Sequence, residues 1–219
     1  MAERFFILDK FNTWYDWNLI LTAKDVTPPE PKTYLVEIDG ADGSLDLSES
    51  LAGRVVYKDR KVSADFWTDY GNRKDRERIY REIVRYLHGK KIRLIEPDDP
   101  EHYFLGRVTV SALSNNLAYA TFKLNATCEP WRYSIEDSVR RVDITGSTRK
   151  DVVISNNGVK ILSPNITVKG SVTLFYDGLE TLLTTGSYKV SDLKLRQGVN
   201  VIGVSGNGSV IFTYKEADL

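Results

Sequence analysis

This chain has little with which to do chemistry. Its 219 residues include one cysteine, Cys128, and two histidines, His88 and His102. A single cysteine excludes an internal disulfide. The two histidines have no His-x-x-x-His or cysteine companion, so metal-ligand spacing is missing. No apolar run approaches the roughly 20 residues of a membrane-spanning helix. Thirty basic residues offset thirty acidic ones, which argues against a protein built to grip nucleic acid through its phosphates. The opening MAERFFILDK has neither the apolar core nor the cleavage site of a secretion signal, so synthesis in a cytoplasm is expected.

What is present is an ordinary globular composition, 42% hydrophobic and 27% charged, arranged in two styles. The first 135 residues mix strands with one helix. Trp17, Leu19 and Leu21 alternate with Asn18, Ile20 and Thr22, and Val62, Ala64 and Phe66 with Ser63, Asp65 and Trp67, the period of a strand buried on at least one face. YLVEI (Tyr34–Ile38) reads as a strand entering the loop DGADGS. A longer alternating segment follows, with a reversal expected around Lys58-Asp59-Arg60. TPPEP at 27–31 reads as an exposed connector, because proline lacks a donor and fixes φ. The helix is expected over about 73–88, capped by Asp69 or Asn72 and stopped by Gly89. Ile79, Ile83 and Leu87, with Tyr80 and Val84 beside them, form its apolar stripe. The Arg- and Glu-rich opposite face reads as solvated, with a partner-binding role as the sharper alternative. Strands are expected at 91–95, 103–113 and 118–127, with the loop EPDDPE at 96–101 and a turn at Asn115-Asn116.

A polar stretch, SVRRVDITGSTRK, opens the region 136–219, which reads as all-β. Asn157-Gly158, Asp177-Gly178 and Asn207-Gly208 each suit a two-residue hairpin turn. Such spacing suggests an antiparallel β-sandwich or jelly roll of about eight strands.

The residues that invite a chemical reading fare poorly. His88 suits a helix end, where its charge would favour the dipole, and His102 a loop. Cys128 has no base nearby in sequence and reads as a small buried hydrophobe. Paired carboxylates can cleave sugars. However, Asp39, Asp42 and Asp46 lack calcium-loop spacing and are better explained by turn formation. GVSGNGS (Gly203–Ser209) lacks the Gly-Lys-Ser/Thr ending of a phosphate loop and lies between strands. Trp14, Trp17, Trp67 and Trp131 all precede residue 135. The second region therefore offers only Phe175, Tyr176, Tyr188, Phe212 and Tyr214 as stacking groups for a saccharide.

Three segments together carry a family resemblance. The order Val-x-Ile-Asp-Gly-x-Asp-Gly-Ser-Leu-Asp-Leu at Val36–Leu47 resembles the start of the distal tail proteins of long-tailed, non-contractile bacteriophages. WYDWNLIL at Trp14–Leu21 and ATCEPWRY at Ala126–Tyr133 are similar to that family's opening and first-domain exit. The resemblance spans most of residues 1–135. It implies a ring-forming tail-hub domain at 1–135, a mixed β-sandwich or split barrel with a helix, and a galectin-like or carbohydrate-module-like β-sandwich at 136–219. It further implies a structural component of the virion tail tip: a hexameric ring, single or as two stacked rings, joining the tail tube protein to the tail-tip lysin and receptor-binding proteins. A channel for DNA would run through the ring, with a neutral or weakly acidic lumen given the balanced charge. No catalytic, cofactor-binding or metal-ligating residue is expected, and no binding residue is assigned. Neither specific nucleic-acid binding nor membrane insertion is expected. The competing reading is a carbohydrate-binding module for the host surface; an enzyme acting on cell-wall polymer is the weakest.

Overall fold

The structure, a computed structural model, describes residues 5–219. The fold is mainly β with one helix, as the alternation patterns imply. It divides into two compact units, one running to Arg132 and the other covering Tyr133–Asp218.

The first unit is built from β1 (Ile7–Leu8), β2 (Phe11–Asn12), β3 (Ile20–Val26), β4 (Leu35–Glu37), β5 (Ser44–Asp46), β6 (Arg60–Thr68), α1 (Arg73–Leu87), β7 (Lys91–Ile95), β8 (His102–Val110), β9 (Ser114–Asn115) and β10 (Ala120–Ser134). Its main sheet has the order β2-β1-β7-β8-β10-β6-β3, with β9 beside β10. Strand β6 lies between two long antiparallel partners. Its inward residues Val62, Ala64 and Phe66 face Ala126, Leu124 and Phe122 of β10 in register. Helix α1 closes this face with Ile79, Ile83 and Leu87, all buried, and with Tyr80 and Val84 at the margin. The Tyr80 and Phe122 rings meet edge to face at 5.7 Å. Trp17 is buried and stacks on Phe11 at 4.8 Å.

The helix ends are set locally. Of the two candidate caps it is Asn72 that serves: its side chain accepts from Lys74 N and Asp75 N, and Asp75 returns a bond to the Asn72 N–H. This reciprocal pair satisfies amides that would otherwise be unbonded. Asn72→Ala should cost about 1 kcal/mol, read as a lowered midpoint in urea unfolding with unchanged slope. Gly89 ends the helix at φ +77°, a conformation glycine adopts without a Cβ penalty.

Three expectations for this unit need correction. Strand β3 begins only at Ile20: Asn18 takes φ +52°, so Trp17 and Leu19 reach the core from an irregular turn. TPPEP is exposed as expected except at Pro29; the segment lies at the base of an arm, where Pro31 bridges Tyr57. There is no reversal at Lys58-Asp59-Arg60. Residues 34–55 instead form that arm, whose β4–β5 hairpin is a separate two-stranded sheet, and Arg60 starts β6. The turn after Asn115 is a wider loop, with the Asn116 carboxamide accepting from Ala118 N and Tyr119 N.

The second unit comprises β11 (Ser138–Ile144), β12 (Lys150–Asn156), β13 (Asn165–Tyr176), β14 (Leu179–Lys189), β15 (Gly198–Tyr214) and β16 (Ala217–Asp218). One curled sheet has the order β11-β15-β13-β14, with β12 also on β15. The polar SVRRVDITG stretch is strand β11, whose Val142 and Ile144 alone point inward. Asp177-Gly178 makes the expected hairpin, with φ of +45° and +76°. Asn207-Gly208 does not: β15 runs through it, pairing β12 over its first half and β11 over its second. The glycines of GVSGNGS mark a corner in one long strand, which is why fewer strands form than the turn spacing suggests. Asn157-Gly158 is also no tight turn. The fully buried Asn156 side chain donates to Lys160 O and Leu195 O and accepts from Gly158 N, holding a longer loop. Leu193 and Leu195 fill the core from a loop that touches Leu162 by a single bridge.

Candidate functional site

The residues singled out for chemistry are held in structural work. Cys128 lies on β10 opposite Arg60, fully buried, and burial pushes its thiol up to about 12. Gly106 of β8 makes room for it: a Cβ there would stand 2.3 Å from the Cys128 sulfur. The thiol binds its proton more tightly folded than unfolded. Its contribution to stability is therefore complete below the ordinary value of 9.0 and lost as pH rises from there toward 12. Native protein in mildly alkaline buffer should not react with a disulfide-exchange thiol reagent. One equivalent should react in denaturant.

His88 Nδ1 accepts the Val110 N–H at 3.1 Å. It ties the helix end to β8. His102 Nδ1 lies 2.7 Å from Asp99, and Arg132 donates to the same carboxylate at 2.9 Å. Lys24 pairs with Glu96 and, at 2.7 Å, with Asp98. Burial works against its charge, but the two carboxylates outweigh it and the pKa is raised. The amine that Lys24 brings to the 300 Å³ pocket it lines with Leu21 and Pro97 is thus ion-paired. Among the described residues, no cluster of three or more His, Cys, Asp or Glu could hold a metal.

Two buried arginines differ. Arg76, 2% exposed, donates to Asn115 Oδ1 and to the carbonyls of Gly71, Asn116 and Leu117. Arg60, 4% exposed, has Nε and Nη2 without hydrogen-bond acceptors and lies over the Phe104 ring at 5.0 Å. Burial, then the charge of Arg132, lowers its pKa below the ordinary guanidinium value.

Surface, not cavity, is where the first unit is unusual. The arm is tied at its base by Lys32 N to Val56 O and Lys58 N to Glu30 O. Beyond that base, no residue from 34 to 55 enters the core. Tyr34, Leu35, Ile38 and Leu45 are about half or more exposed and Leu51 fully so. A lone hairpin is marginal in water, and contiguous exposed apolar side chains mark interaction surfaces. In its loop Gly40 and Gly43 take φ of +82° and +75°, and Asp46 acts as a turn former, accepting from Ser48 N. Helix α1 supplies a second surface. Beside it lies an open groove of about 510 Å³ lined by Arg73, Tyr80, Arg81, Ala112 and Leu113 among others.

The five aromatic candidates of the second unit lie in different settings. Phe212 and Tyr176 are buried, and Arg149 covers Phe175 at 5.3 Å. The hydroxyls of Tyr188 and Tyr214 are bonded to Thr184 O and Ser155 O. Of the tryptophans, only Trp17 is fully buried, and Trp14 is exposed.

No protein-family model and no curated protein sequence matches this chain. A solved structure does: the crystal structure of the SPP1 Dit protein (gp 19.1), described as a paradigm of the hub adsorption apparatus in phages infecting Gram-positive bacteria. The match has a TM-score of 0.73 at 17% identity and covers 99% of each chain. The two chains share their fold over both units. The structural neighbour is a distal tail protein of the kind the Val36–Leu47, Trp14–Leu21 and Ala126–Tyr133 segments resemble.

Proposed function

We propose that this protein is a structural subunit of the tail tip of a long, non-contractile bacteriophage tail, without enzymatic activity. It is made in the host cytoplasm and carried in the virion. Six copies form a ring, single or stacked as a pair, that joins the tail tube protein to the tip lysin and receptor-binding proteins and leaves a channel for DNA. The division at residues 1–135 and 136–219 separates a ring-forming part from a projecting part. The observation that carries this reading is the end-to-end fold match to a phage hub protein. The arm adds to it: a half-exposed apolar hairpin outside the core needs a protein surface to cover it.

The mechanism is mechanical. A contact between unlike surfaces closes into a ring when its rotation divides a full turn. Each contact must bury on the order of 1,000 Å² to persist. A channel that passes DNA should not retain it, which favours a neutral or weakly acidic lumen. Negative-stain images of the purified chain should show rings with an open centre. Particles of single-chain size across the whole concentration range would contradict the proposal.

A further inference from the structure

The chain has no net charge, but its charges are segregated. Residues 33–53, which span the arm up to Arg54, contain Glu37, Asp39, Asp42, Asp46 and Glu49 and no lysine or arginine. Helix α1 carries Lys74, Arg78, Arg81 and Arg85, all exposed. Their spacing of i, i+4, i+7 and i+11 aligns them on one face about 17 Å long. Among the described residues, none of these four bases, and none of Glu37, Asp39, Asp42 and Glu49, is in an ion pair within the chain. The groove along α1 adjoins this stripe through Arg81. The acids of the arm are flanked by the exposed Ile38, Leu45 and Leu51.

We infer that the acidic arm of one copy docks along the basic face of α1 of a second copy, its apolar side chains entering the groove beside Arg73, Tyr80 and Arg81. This rests on the ring reading and gives it a contact. The two surfaces are unlike, so every copy offers both halves and the contact is head to tail. The charge pattern also selects the pairing, since arm against arm or helix against helix would set like charges together. Glu77, the acid lining the groove, is engaged by Arg73 at 3.5 Å and by Asn115 at 3.4 Å, which leaves the basic stripe to meet the arm.

The test is a charge swap in the full-length chain, with mass read by sedimentation. Arg78→Glu with Arg81→Glu, and separately Asp39→Lys with Asp42→Lys, should each weaken self-association at least about tenfold. All four positions are exposed, so circular dichroism should stay native. The chain carrying all four changes should regain association. If wild-type rings survive both reversals unchanged, or the combined swap fails to rescue, this contact is wrong and the ring stands. A wild-type chain that is monomeric at every concentration overturns both. If wild type shifts a short DNA duplex in a gel, and Arg78→Glu with Arg81→Glu abolishes that shift without changing mass, the stripe serves DNA and the inference falls.

Discussion

Gly208→Ala should unfold the second unit at a markedly lower temperature while leaving the first unit intact. Gly208 has φ +145°, a conformation L side chains rarely adopt, and a Cβ built there would stand 1.9 Å from the Lys169 carbonyl oxygen. That neighbour is backbone in the paired strand β13, so it cannot rotate away. The corner repeats the device twice more: Gly206 faces Ser171 O at 2.3 Å and Gly170 faces Asn207 O at 2.2 Å. Close approach at this bend carries Val210 and Phe212 into the same core as Ile202 and Val204. Strain and overpacking together should cost on the order of 3 kcal/mol, or roughly 10–20 °C in the unit's unfolding temperature. Differential scanning calorimetry resolves it. Gly198→Ala is the control: φ is also positive, at +88°, but nothing lies within 4 Å of the added Cβ, so the loss should be smaller.

Arg76→Met and Arg60→Met should separate, although both remove a guanidinium that is nearly inaccessible. Arg76 links the start of α1 to the 115–117 loop through four acceptors. Losing it frees the helix start from that loop and leaves carbonyls short of donors, at a cost of about 2–3 kcal/mol. Arg60 presents two unbonded nitrogens, Nε and Nη2, to the interior, and its stem and ring contact resemble those of a long apolar side chain. Methionine removes a desolvated charge without stranding a partner, so Arg60→Met should lie within about 1 kcal/mol of wild type or exceed it. Urea midpoints of the two variants measure the difference. Equal losses would mean that Arg60 is bonded after all.

Much of this architecture is legible residue by residue. The stripe Ile79, Ile83, Leu87 and the stop at Gly89 are local signals, and α1 follows them. The alternation in Val62–Phe66 and in Ala120–Ala126 survives because one face of each strand is buried. The failures have a common physical origin. Asn-Gly and Gly-rich segments announce positive φ, and positive φ serves equally for a two-residue turn or for a corner in a continuous strand. Asp177-Gly178 is the first and Gly206–Gly208 the second, a choice made by the neighbouring strands. Gly158 is required by its approach to Ala217 rather than by φ, which no local pattern reveals. The arm was hidden for another reason. Residues 54–59 carry no period of their own, and their pairing with residues 30–32 is a long-range contact that local pattern does not announce. The run of acids without a base from 33 to 53 and the four aligned bases of α1 were readable signals. Only the structure shows that, among the described residues, neither finds its complement.

The central claim is that this chain assembles into a closed ring. Its most direct test is the absolute mass of the purified protein in solution, by light scattering after size exclusion at low ionic strength. The account predicts six, or twelve, times the chain mass of 24.9 kDa, with no intermediate species dominating. A mass of one chain at every concentration would contradict it.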